Sequence, residues 1–480
     1  MKSILCFSRS YLANLLSELG KLDQDFEYYH IVQSREELRL IESKGGKVIL
    51  CLENEVKKGM KNFKNSNIKF NEPEDFRSLT EFHWSPIMSD RYLNHYNKID
   101  REYIAQIIFS SIEKIFNKYK FDFFMSEVVA IFSAQTILYF SKKNDTKIRL
   151  FSPCYFPGYF NFTTNLANTK PICSRDENIN SKRSEYVKTF AENVILDKSG
   201  PKYHYSFAKK DNGFFAYFKQ RKGNAPMIIE PNFKTKLIQF MRLGYALLIK
   251  YTYPLIGDFQ LAKSWKEQWF YFKCLFFRES YYDLMPSNFN VNNVMFPLHF
   301  EPEAALTYLS PANDNQIDLI ESIVKTLPSD KILWVKEHPN QFGALNMKKW
   351  KNLRNKYSNL RYVFGRVSGR KLMKSSALVI SVSSSAGMDA LLLGKNVIVL
   401  GDIFYNKFRG AIFSKSIPEI SDLLNSKDIY VKDNGLGNLA IDDLCEFSQM
   451  SYKANIQSSE TLFSEENLND LLYSIKTEFI

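Results

Sequence analysis

Apolar residues recur along this chain in two alternating rhythms. Short apolar runs at 3–7, 28–32 and 47–52 have the length of buried strands, and between them 11–22 and 35–43 carry apolar positions at helical spacing, the second stopping at Gly45-Gly46. Strand, helix, strand, helix, strand is the βαβ alternation of a parallel sheet. A polar, irregular stretch over 54–100 interrupts the pattern. It resumes with an amphipathic helix over 104–119, a strand over 121–125 that ends at Ser126 and Glu127, a helix over 130–142 and a strand over 147–151. From Asn292 a second series begins. Strands are predicted at 294–299, 332–335, 360–364, 378–381 and 396–400, separated by helices at 314–326, 346–356, 367–375 and 386–393 and followed by one at 416–425. The pattern predicts an α/β chain of two Rossmann-like halves. The turn after the first strand has no GxGxxG, so a dinucleotide fingerprint is absent.

This division places a first half at 1–285, a second at 286–441 and a helical tail at 442–480 that packs back on the first. Within the first half, about 165–285 reads as an insertion. Its early part, 165–230, is rich in Lys, Asn and Ser and shows no clear period, so loops and weak helices are expected there. The stretch 233–277 interleaves Lys and Arg with Trp, Phe, Tyr and Leu. Two readings of that composition stand side by side: a helix lying on a membrane surface, or a hairpin packed on its own domain. The loop 151–160, with its Pro, Gly and aromatic residues, reads either as a lid or acceptor surface or as a packed connection.

Composition narrows the function classes. At 480 residues with 45% apolar and 24% charged positions, the chain has the make-up of a globular protein. A formal charge of +12 suits an anionic partner such as a nucleotide or a membrane surface, although Lys is spread along the whole chain. The basic–aromatic interleaving also suits single-stranded nucleic acid, but no RNA-binding signature accompanies it, and no nucleic-acid partner is expected. Six scattered cysteines show neither CxxC pairs nor zinc spacing, which fits a reducing compartment and no structural metal. No run of about 20 apolar residues exists to cross a membrane, and the first residues read as a strand rather than a signal peptide.

Candidate chemistry gathers at strand ends, where open α/β sheets bind ligands. The strand at 332–335 runs into Lys336-Glu-His338-Pro339, and the strand at 378–381 runs into Ser383-Ser384-Ser385-Ala-Gly387. The second turn opens a helix, whose first N–H groups and dipole favour a phosphate. One serine suffices for a cap, and four in the five positions 381–385 exceed that need. Lys336 and His338 add donors for a phosphate or a leaving group, Pro339 stiffens the turn, and Asp389, one turn into the helix, suits a ribose hydroxyl. His299 ends its strand in Phe296-Pro-Leu-His299-Phe-Glu301-Pro-Glu303, where an imidazole near two carboxylates suits acid/base work. Glu127 stands at a strand end in the first half, as a working carboxylate would, or as a helix-start Glu favoured by the dipole.

These passages resemble the capsule polysaccharide biosynthesis family, which includes Kdo transferases and is related to bacterial sialyltransferases. The passages that carry the resemblance are 296–303, 335–339, 383–387 with Asp389 and Gly394-Lys395, and Gly401-Asp-Ile-Phe-Tyr405. The resemblance implies a GT-B glycosyltransferase, with two Rossmann-like domains facing across a cleft. It implies a CMP-activated 2-keto sugar acid such as Kdo as co-substrate, no further cofactor and no metal. The acceptor would be a glycan or glycolipid of capsule or lipopolysaccharide type. His338 and the serine turn would hold the CMP phosphate, Glu127 would be a catalytic carboxylate, and His299 would lie near the transferred sugar. The family's Gln in the first motif is Glu301 here, which together with Glu303 bears on sugar contacts. Two further readings are kept: a GT-B enzyme that uses UDP- or GDP-sugars, and a non-catalytic assembly or export partner. The expected location is cytoplasmic, peripheral on the inner face of the membrane.

Overall fold

A computed structural model describes residues 1–65, 96–128, 131–165, 180–196, 281–299, 308–338, 347–365, 367–431, 435–457 and 461–479, with ten further positions between them. Two β-sheets organise these residues. In the first, β1 (Lys2–Ser8), β2 (Phe26–Val32), β3 (Lys47–Cys51), β4 (Phe123–Glu127) and β5 (Lys147–Pro153) run parallel, and β6 (Tyr159–Thr163) and β13 (Tyr452–Lys453) add antiparallel at one edge. The order is β13-β6-β5-β4-β1-β2-β3. In the second, β7 (Asn293–Pro297), β8 (Ile332–Lys336), β9 (Leu360–Val363), β10 (Leu378–Ser381), β11 (Asn396–Val399) and β12 (Ala411–Phe413) are all parallel, in the order β12-β11-β10-β7-β8-β9. Chain order therefore reverses between β1 and β4 in the first sheet and between β7 and β10 in the second. The carboxyl ends of those pairs are the switch points at which doubly wound sheets bind ligands. The predicted α/β class with two Rossmann-like units is what the chain adopts.

Central strands buried on both faces explain the continuous apolar runs read from sequence. Val294, Met295 and Phe296 of β7 and Leu378, Val379 and Ile380 of β10 are fully buried. Helix starts follow local chemistry. Ser34 and Glu37 form a capping box on the helix Arg35–Glu42, and Asn97 caps Lys98–Lys118.

Three features differ from the sequence reading. The helix Leu52–Asn65 begins directly after β3, inside a stretch read as irregular. A 16-residue helix, Asn180–Ile195, forms where weak structure was expected. Its Val187, Phe190, Ala191 and Val194 are buried in one apolar cluster with Met295, Val379 and Val397 of the second sheet, so this part of the insertion lies on the second half. Few apolar residues suffice for such a helix when another element supplies the surface. The loop 151–160 is a packed connection, since Cys154, Tyr155 and Phe156 enter the same cluster. The tail returns to the first half. Tyr452 pairs with Phe160, and Phe479 at the end of the helix Glu465–Phe479 stacks on Phe123 at 4.2 Å between ring centroids.

No helix among the described residues is long and apolar enough to cross a membrane. Of 233–277, only Leu237, Phe240, Met241 and Gly244 are described. They are helical and exposed, and the rest of that segment lies outside the described residues.

Candidate active site

The two switch points hold different chemistry. In the first sheet, Glu127 ends β4 and faces the turn that follows β1. Arg9 Nη2 donates to Glu127 Oε1 at 3.2 Å, and the Tyr11 hydroxyl donates to Oε2 at 3.0 Å. The carboxylate is mostly shielded, with its side chain 20% exposed. Burial first, and then the Glu127 charge, push the Tyr11 phenol far above its ordinary range, so it stays protonated and donates. Behind this turn the buried Ser8 Oγ lies 2.7 Å from His30 Nδ1, and burial drives His30 down to about 4, leaving a neutral ring. An anionic carboxylate held by a cation and a phenol is equipped to accept a proton or to attack a carbon.

In the second sheet the serine turn is built by its own neighbours. The Ser383 N–H donates to His299 Nε2 at 3.1 Å, which ties β10 to the end of β7 across the switch point. The His299 N–H donates to Gln316 Oε1 at 2.7 Å, and Gln316 Nε2 donates back to the His299 carbonyl. His299 is buried and its Nε2 lone pair is committed to Ser383. In this structure the ring is a strut that fixes the serine turn, a role that stands beside its reading as an acid/base group. The Ser384 N–H donates to Ser381 Oγ, and Ser384 Oγ caps the helix Ser385–Leu392 through the Ala386 N–H at 3.2 Å. The buried Tyr405 hydroxyl donates to the Ser384 carbonyl. Gly387 is required by this packing. A Cβ there would lie 2.7 Å from Tyr405 Cζ and closer still to the hydroxyl. Of the serines, Ser385 at the first helical position is the exposed one.

The strand β8 delivers the other turn. His338 is half-buried just past it, and Gly365 packs so closely that a Cβ would lie 2.8 Å from the His338 carbonyl oxygen. Lys336 is buried, with Nζ donating to the carbonyls of Gly365 at 2.8 Å and Glu337 at 3.2 Å. These contacts pin the turn, a task that stands beside the phosphate contact read for it. Pro339, Glu301 and Glu303 lie outside the described residues. Asp389 is turned toward the first half. The Tyr155 hydroxyl donates to its Oδ1, and Arg370 Nη2 lies 4.0 Å away while Arg370 Nη1 donates to the Val194 carbonyl. The ribose reading of Asp389 therefore competes with a tie between segments.

Sequence reasoning passed over Arg9, Tyr11 and Glu337. Glu337 sits inside the quoted motif, but strand alternation turns it away from Lys336 and His338. Its buried carboxylate accepts from the hydroxyls of Tyr282 at 3.0 Å and Tyr362 at 3.1 Å and from the Gly365 N–H at 3.3 Å. Burial raises this carboxyl from 4.5 to about 7, against the lowering effect of the two tyrosines, the Gly365 N–H and the Lys336 charge. A raised folded value means the contribution to stability is full below 4.5 and is lost as pH rises through about 7. That interval corresponds to roughly 3 kcal/mol. Glu337→Gln should remove this component of the pH dependence. Unfolding midpoints of the two proteins measured from pH 5 to 8 are expected to diverge in favour of the variant as pH rises.

Residues 282–411, which contain this second site, match the family model described as "Capsule polysaccharide biosynthesis protein". The resemblance read from the motifs and the family match thus fall on the same part of the chain. A search of curated proteins finds no match. Among solved structures, KpsC of Thermosulfurimonas dismutans, a beta Kdo 2,7 transferase, is similar over 76% of this chain and 89% of that one, at 11% identity and a TM-score of 0.33. HepE from Anabaena in complex with UDP and glucose matches over 93% and 94%, at 9% identity and a TM-score of 0.27. UDP-GlcNAc 2-epimerase from Methanocaldococcus jannaschii matches over 92% and 98%, at 11% identity and a TM-score of 0.24. At such scores these likenesses carry no argument about activity, and the fold stands on the strand pairing itself.

Proposed function

We propose that this protein is a glycosyltransferase of capsule or lipopolysaccharide-type glycan assembly. In this reading it transfers a 2-keto sugar acid such as Kdo from a CMP-activated donor to a glycan or glycolipid acceptor. The observation that carries the reading is the capsule-biosynthesis match over 282–411, coinciding with the sheet whose switch point and neighbouring turn present Ser385 and His338. Ser385 and the first N–H groups of its helix would receive the donor phosphate. His338 would donate to the phosphate or to the leaving group, and Glu127 would supply the catalytic carboxylate from the first half. His299, Ser383, Ser384, Lys336 and Gly387 support the donor turns in this reading, and Asp389 serves the tie to Tyr155. No metal is needed where fixed donors meet the phosphate. Thermal denaturation of the full chain with CMP, UDP and GDP tests the donor. CMP alone is expected to raise the midpoint, and His338→Ala should abolish that rise. An unchanged CMP effect in the variant removes His338 from the site, and stabilisation by UDP or GDP instead transfers the reading to those donors.

The exposed Leu237, Phe240 and Met241, at helical spacing within a basic and aromatic segment, support peripheral contact with an anionic membrane face. The protein is expected to co-sediment with vesicles containing anionic lipid and to be released by salt. Recovery in the supernatant with such vesicles at low salt would exclude the contact.

A further inference from the structure

We infer that Tyr11 and Arg9 are positioning residues for the Glu127 carboxylate, and that Glu37 holds the turn at Ser10 that makes them converge on it. The inference rests on the catalytic reading of Glu127 above. Each carboxylate oxygen receives one fixed donor, Arg9 Nη2 on Oε1 and the Tyr11 hydroxyl on Oε2. A carboxylate oxygen accepts two hydrogen bonds, so both oxygens keep capacity for a proton or a new bond while their plane is set from two sides. The donors come from either side of a single residue. Arg9 follows β1, and Tyr11 opens the helix Tyr11–Leu22. Between them Ser10 has φ 55° and ψ −129°, a conformation that disfavours a residue with a Cβ.

The cause of that conformation is on the neighbouring loop. Glu37 Oε1 accepts the Ser10 N–H at 2.6 Å, while Oε2 accepts the N–H groups of Gln33 and Ser34, both at 2.9 Å. A capping box requires only the bond to Ser34. The grip on Ser10 is additional, and it reaches from the β2–helix connection to the turn after β1. Through it, one carboxylate fixes the turn and the turn fixes the other carboxylate. Strain kept by a surrounding network at a switch point is the arrangement expected where geometry serves chemistry.

Full-length variants assayed with CMP-Kdo and a capsule-type glycan acceptor test this. Tyr11→Phe keeps the ring and removes the donor. It is expected to lower kcat on the order of tenfold, the worth of one charge-assisted hydrogen bond, with the donor KM unchanged and the protein still folded at the assay temperature. Glu37→Gln should lower kcat in the same manner, and adding Ser10→Gly should restore it, because glycine adopts the turn without being held. A role for Glu37 confined to capping its helix would not be rescued at Ser10. An unchanged kcat in Tyr11→Phe, or a change confined to KM, overturns the positioning role. Failure of Ser10→Gly to rescue Glu37→Gln overturns the clamp. If Glu127→Gln itself transfers at the wild-type rate, or the wild type transfers nothing, the catalytic reading falls and this inference falls with it. Loss in Glu127→Gln without loss in Tyr11→Phe removes the inference alone.

Discussion

Glu127→Gln is expected to reduce sugar transfer by roughly 10²–10⁴-fold, the range for loss of a positioned acid/base group, with nucleotide-induced stabilisation retained. The reason is local. Glutamine keeps the shape of the side chain and an oxygen for the Tyr11 hydroxyl or Arg9, so the turn after β1 need not move. What it loses is the negative charge that Arg9 now balances at 3.2 Å, and with it the capacity to take a proton or attack a carbon. The turns proposed to hold the donor are on the other sheet, so on that reading CMP should still raise the denaturation midpoint. Steady-state rates together with that midpoint check both halves of the expectation. Near-wild-type transfer would remove Glu127 from catalysis.

The second large effect concerns stability. Gly387→Ala should destabilise the second half by about 2 kcal/mol, within the usual cost of overpacking, despite the gain of about 1 kcal/mol that alanine brings in a helix. Tyr405 cannot yield easily. It is fully buried, and its hydroxyl is bonded to the Ser384 carbonyl and lies 3.3 Å from Ser381 Oγ. The added methyl group must displace either that ring or the serine turn, so nucleotide binding should fail together with stability. Tyr405→Phe in the alanine background removes the closest atom and should recover part of the lost midpoint. Denaturation of the single and double variants measures this coupling. Strict additivity would show that the ring and the glycine do not interact.

Much of the architecture was legible in the chain. The strands at 294–299 and 378–381 and the helices between them were readable because central parallel strands are apolar on both faces and leave continuous runs. The helix Asn180–Ile195 was not readable. Four buried apolar residues within a polar segment are too weak a periodic signal, and only the face of the second sheet gives them a purpose. The two-residue strand β13 was equally hidden, since its pairing with β6 joins residues almost 300 positions apart. The site divides in the same way. The serine turn and the Lys336–His338 turn were visible because polar residues stood out at the ends of apolar strands. Which of those residues are spent on internal hydrogen bonds was not, because partners such as His299 for Ser383 lie 84 positions away.

The sequence by itself determined the α/β class, the two series of strands and helices, the polar turns at the strand ends and the likeness to capsule biosynthesis proteins. These are properties of local periodicity and short motifs, and each is written within a few consecutive residues. The tertiary structure alone decided how those residues are used. It made His299 a strut, tied Asp389 to Tyr155, buried Glu337 until its carboxyl rose to about 7, and brought Arg9 and Tyr11 onto Glu127. The physical reason is that strand order in a doubly wound sheet differs from chain order. Neighbours at a switch point are set by sheet topology, and a side chain's charge, partners and freedom are set by those neighbours.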